Sequence, residues 1–211
     1  MTTEMTTDEQ AGQRGRDIVA RDAEAVQATV RLVSLVTPAD LAKPTPCDGW
    51  SVRDLLAHMT VQHDGFAAAA AGDGADLARW QPREPGADPA GEYAAAAGRV
   101  LAAFAADGAL GRKFALPEIS PVLRFPAAQA ISFHFVDYVV HGWDVARSLG
   151  RDFELAPATL DAALAVARAV PDGEPRRRGL MPFAPGVPVA ATAAVFDQIV
   201  ALLGRRPGWP D

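Results

Sequence analysis

Apolar residues at three- and four-residue steps divide this chain into helical segments separated by Gly- and Pro-rich breaks. From about Arg16 the series Ile18, Val19, Ala23, Val26, Val30, Val33 marks a long amphipathic helix. It should stop near Thr37-Pro38, because the residue before proline avoids the α region. PTPCDGW (44–50) reads as a turn-rich connection, after which Ser51 is placed as an N-cap with Asp54 in the capping-box position. The second helix is expected from Val52 to about Ala71, ended by Gly72-Asp73-Gly74, and residues 72–91 form a long loop. A third helix is expected over roughly 89–106, an irregular or locally extended segment over 111–126, and a fourth helix from about Pro126 to Gly150. A shorter helix over 157–169 and a last one near 192–203 complete the pattern.

The implied fold class is all-α: a four-helix bundle over residues 16–150, preceded by a flexible N-terminus (1–15) and followed by a helical, Pro-rich C-terminal extension (151–211) packed on the bundle. Composition agrees, since 49% of residues are apolar with alanine supplying much of the share, which favours helix. The net charge of −6 is modest, and Arg176-Arg177-Arg178, between Pro175 and Gly179, reads as a solvated loop; no nucleic-acid partner is implied. No apolar run approaches the roughly 18 residues of a membrane span, and MTTEMTTDEQ lacks the features of a signal peptide. A single cysteine, Cys47, excludes an internal disulfide and fits a reducing cytoplasm.

The candidate chemistry lies in FHFVDYVVHGWDV (133–145). Asp137 and His141 are four apart, so a helix places them on one face. His134 lies seven before His141 and so about 10 Å away, too far to share one ion, which leaves it a supporting position. On the second helix His58 and His63 are five apart and face different ways, so one of them looks inward. His58, among Leu55, Leu56 and Met59, is the inward candidate, and His63, beside Gln62 and Asp64, the wetter one. His58, Asp137 and His141 together offer two imidazoles and a carboxylate, the three-ligand pattern of a catalytic zinc with an open fourth position. The set also suits Fe(II), Ni(II) or Co(II). Asp144, three past His141, is a candidate support for that ligand, and Asp54, four before His58, is a candidate support for His58. The alternative is a satisfied polar network, with Asp137 on His134 or His141 and Asp54 on His58. Cys47, just before the second helix, reads as a small buried hydrophobe rather than a nucleophile.

PTPCDGWSVRDLLAHM (44–59), VDYVVHGWDVARSLG (136–150) and the tail PFAPGVPVAATAAVFDQIVALLGRRPGW (182–209) resemble, in order and spacing, DinB-like proteins of the mycothiol-dependent maleylpyruvate isomerase N-terminal type. The resemblance implies a divalent metal, usually zinc, inside the bundle, held at the matching positions His58, Asp137 and His141. It also implies mycothiol as cosubstrate, bound as a metal-bound thiolate and added to a small electrophile by a transferase or isomerase-like enzyme. Two departures stand out: position 137 is Asp where the isomerases carry Glu, and residues 151–211 do not read as their C-terminal α+β domain. The rival function is a non-catalytic, stress-related bundle that binds a metal or a small molecule. Dimerisation is common in bundles of this type, although no residue pattern here derives a homodimer.

Overall fold

The computed structural model describes residues 7–178 and 182–211. Four long helices form the frame: α1 (Thr7–Val33), α2 (Val52–Ala71), α3 (Pro89–Ala105) and α4 (Ala127–Leu149). α1 packs on α4 and α3, and α2 packs on the same two, so the four close into a ring. A short antiparallel hairpin, β1 (Lys113–Ala115) and β2 (Arg124–Pro126), fills the segment expected to be irregular or extended. α5 (Pro157–Ala169), α6 (Glu174–Arg177) and α7 (Val195–Leu202) follow. No helix among the described residues is long and apolar enough to cross a membrane.

Local chemistry accounts for the element ends. Ser51 Oγ accepts from the Asp54 backbone N–H while the Asp54 carboxylate accepts from the Ser51 N–H, which closes the capping box of α2. Gly72 ends α2 in the left-handed region at φ 97°. Asp88 caps α3 through the Gly91 N–H, with Pro89 in the first turn, where its missing donor costs nothing. α1 begins at Thr7 rather than near Arg16, because the polar stretch before Arg16 continues the helix, with Glu9, Gln10, Gln13 and Arg14 exposed along it. Residues 1–6 lie outside the described ones.

α4 is enclosed almost all round. From His134 to Ala146 every residue is buried except Asp137, so over this stretch the helix reaches solvent only where the candidate carboxylate sits. Phe135, Val139, Val140 and Trp143 on α4 pack against Leu164 of α5 and Ile199, Val200 and Leu203 at the end of the chain. Tyr138 and Val145 pack instead with Leu55, Leu56 and Met59 of α2 and Tyr93 of α3. α5 is tied to α1 where Glu24 accepts from the Ala156 N–H and from Thr159 Oγ1. The arginine triplet departs from the expected solvated loop. Arg176 is only 2% exposed, its Nη1 donating to the carbonyls of Ala184 and Leu202, while Arg177 and Arg178 stay at the surface on Glu174.

Candidate metal centre

PTPCDGWS owes its shape to Thr45 and Gly49. Thr45 Oγ1 receives the Cys47 N–H at 3.1 Å, the Thr45 N–H donates to Trp50 O, and Gly49 takes φ 77°. The turn hands the chain directly into α2 and sets Cys47 and Trp50 beside α4. Trp50, 37% exposed, lies 5.0 Å from the His58 ring and 6.4 Å from the His141 ring, forming one wall of the opening.

His58 of α2 meets Asp137 and His141 of α4. His141 Nε2 is 3.3 Å from Asp137 Oδ1, and His58 Nε2 is 3.8 Å from Asp137 Oδ2. The three donor atoms all lie within 4.8 Å of one another. Ligand atoms placed at about 2.1 Å around a tetrahedral zinc are about 3.4 Å apart, so the residues present fit such an ion with minor side-chain adjustment.

The far side of His141 is equally organised. Its Nδ1–H donates to Asp144 Oδ2 at 2.9 Å, which fixes the tautomer and turns Nε2 toward Asp137 and His58. Asp144 is fully buried and is met by Arg205, whose Nη2 donates to Oδ2 at 2.9 Å and whose Nε lies 3.3 Å from both oxygens. Cys47 joins the cluster: its thiol donates to Asp144 Oδ2 at 3.2 Å, and Arg205 Nη2 lies 3.0 Å from its sulfur.

The electrostatics follow from this arrangement. Burial pushes the Asp144 carboxyl up, but Arg205 and His141 outweigh it and hold the group below its usual range. Burial also opposes ionisation of Asp137, and His141 and His58 overcome it, leaving that carboxyl well below the ordinary value. Burial disfavours the charged imidazole of His141, yet Asp137 and Asp144 on its two sides raise it well above the usual histidine value. The two carboxylates flanking His141 thus favour its protonated form.

Three expectations need correction. His63 is not the wetter histidine; it is fully buried and stacks on Tyr138 at 4.0 Å. Both α2 histidines thus face inward, at different levels of the bundle, because α2 is covered by α3 as well as α4. His134 does not support the metal set; it bonds Asp22 Oδ1 of α1 at 2.6 Å and His63 Nδ1 at 3.1 Å, in a separate buried chain. Asp54 is occupied by Ser51 as a cap rather than by His58. Sequence reasoning missed Arg205 and Asp22 altogether. Arg205 lies 61 residues from Asp144, and the one sequence signal was its place in the tail LLGRRPGW.

Residues 23–146 match the family model of the mycothiol maleylpyruvate isomerase N-terminal domain. The chain belongs to that family. Two uncharacterized proteins from two strains of Mycobacterium tuberculosis are 32% identical to it over 186 residues, covering 86% of this chain and 93% of each relative. A crystal structure of the mycothiol-dependent maleylpyruvate isomerase superposes with a TM-score of 0.55 at 13% identity, covering 74% of this chain and 68% of that one. At that identity the likeness establishes the DinB-like helical fold.

Proposed function

We propose that this family member is a metal-dependent enzyme that uses a low-molecular-weight thiol, mycothiol, to act on a small electrophile as a transferase or an isomerase-like catalyst. The observation that carries the reading is His141, held on Nδ1 by a buried carboxylate so that Nε2 faces His58 and Asp137, the one residue from His134 to Ala146 that is not buried. A divalent ion at His58, Asp137 and His141, zinc above all, would supply the charge that takes an incoming thiol as its thiolate. The chain's own residues do the rest. Asp144 keeps His141 oriented, Trp50 walls the opening against solvent, and Asp137 and His58 close the set from two helices.

The protein loaded with cobalt(II) and titrated with mycothiol tests the reading. A sulfur-to-cobalt charge-transfer band that saturates with thiol, and is lost in Asp137→Ala, is the expected result. A spectrum unchanged by thiol would leave metal binding without thiol chemistry. One feature favours that non-catalytic reading. The buried guanidinium nearest the centre, Arg205, is already engaged by Asp144, Cys47 and the Leu203 carbonyl, so it is not free to receive a cosubstrate's carboxylate.

A further inference from the structure

Among the described residues two candidate ligand sets overlap at His141. One is His58, Asp137 and His141; the other is Cys47, Asp144 and His141, and each keeps its donor atoms within 4.8 Å. For a borderline-soft ion the second set is a serious competitor, because a thiolate is a better zinc donor than a second imidazole or carboxylate in many sites. The two sets use opposite nitrogens of His141. Asp144 lies at 2.9 Å from Nδ1 and Asp137 at 3.3 Å from Nε2, so the geometry alone leaves the choice between them open.

Arg205 stands on the sulfur-containing set. Its Nη2 is 3.0 Å from Cys47 Sγ and 2.9 Å from Asp144 Oδ2, and its Nη1 donates to Leu203 O at 2.8 Å. The residue is 6% exposed. Its backbone is fixed as firmly as its head group. The Arg205 N–H donates to Val200 O at 2.9 Å, and Gly204 turns at φ 84° so close to Ala184 that a Cβ would come within 2.7 Å of it. Beyond it, Trp209 O accepts from Arg147 Nε of α4 at 3.0 Å, which anchors the tail downstream.

We propose that Arg205 is a built-in cation that closes the Cys47/Asp144 side of His141 and so confines the metal ion to His58, Asp137 and His141. This inference rests on the metal reading above. A guanidinium does not release its proton in proteins, so the charge stays in place. A divalent ion seated between Cys47 and Asp144 would have to share its ligands with that charge in a buried place, where repulsion is weakly screened. Arg205 is thereby a positioning residue acting through Asp144 and Cys47, and the C-terminal tail is part of the centre rather than a cover on it. Cys47 is a partner of Arg205 and leaves the ligand set.

Cobalt(II) alone, with no added thiol, tests this on the full chain. Wild type and Arg205→Lys should bind cobalt without a sulfur-to-cobalt charge-transfer band. Arg205→Met should gain that band, and the added change Cys47→Ser should abolish it, a signature that a merely structural role for Arg205 would not produce. Cobalt bound by wild type with the band already present overturns the inference, as does cobalt bound by Arg205→Met without it. Should Arg205→Met fail to fold, wild type against Cys47→Ser decides. Equal affinity and no band support the inference, whereas a loss of affinity of about tenfold or more, the effect expected of a true ligand or its support, overturns it. Wild type that binds no cobalt overturns the metal reading itself, a result distinct from all of these.

Discussion

His141 has both ring nitrogens engaged, and the two engagements differ in kind. On Nδ1 it meets a buried, arginine-held carboxylate that fixes the ring; on Nε2 it meets a partly exposed carboxylate that an ion can share. Asp144→Asn keeps the shape and removes the charge, so metal affinity should fall about 10- to 100-fold. Competition with a chromogenic chelator measures it, and unchanged affinity would remove Asp144 from the account. His63 makes a pH prediction. Burial first, then His134, holds its pKa well below 6.5, so the folded protein leaves it neutral while the unfolded chain takes up a proton. Stability should therefore fall as pH drops below about 6.5, with a limiting slope of about 1.4 kcal/mol per pH unit from this one group. His141 acts oppositely in the metal-free protein: its raised pKa adds stability that is present below about 6.5 and lost as pH rises through the folded value. Denaturant titrations from pH 7.5 to 5 on wild type and His63→Gln separate the two. The stability difference should move against wild type toward acid, and a pH-independent difference would contradict the assignment. The sequence misplaced His63 for a physical reason. Its polar neighbours looked like a wet surface, yet Gln62 is buried against Glu118 and Asp64 is paired with Arg99.

At the scale of elements, what was legible was whatever local chemistry decides. Ser51, Asp54 and Gly72 fixed both ends of α2 from the sequence, and the four-residue step fixed Asp137 and His141 on one face. What stayed hidden depends on contacts across the chain: Asp22 of α1 reaching His134, and the tail reaching Asp144. No periodicity encodes these, because each is a single side chain meeting another element. Gly65 shows how tightly α2 is seated. A Cβ there would lie 2.5 Å from the Trp80 ring, which is 1% exposed and tied by its indole N–H to Gly74 O. Gly65→Ala should destabilise the protein by up to about 2 kcal/mol, since overpacking of about 1–3 kcal/mol is offset by a helix-propensity gain of about 1 kcal/mol. Chemical denaturation checks this, and a stabilised variant would show that Trp80 yields easily.

For the molecule as a whole, helices α1 to α4 form the ring that the hydrophobic pattern implied, and α5 and α7 extend its core along α4. Donors drawn from α2 and α4 would couple the binding of an ion to the stability of that ring. An ion present at about 100 times its dissociation constant should add about 2.7 kcal/mol. For a chain of 211 residues that is roughly 5–10 °C in Tm. Differential scanning calorimetry with and without zinc measures the shift, and its absence in His58→Ala ties it to the centre.

The most direct test of the metal centre is elemental analysis of tag-free protein, run on wild type, His58→Ala and His141→Ala, with circular dichroism to verify folding. Wild type should carry about one equivalent of zinc or a similar divalent ion, lost from both variants while each keeps its helices. Wild type that carries no metal even after reconstitution would contradict it, and His58, Asp137 and His141 would then be a polar network inside a structural bundle.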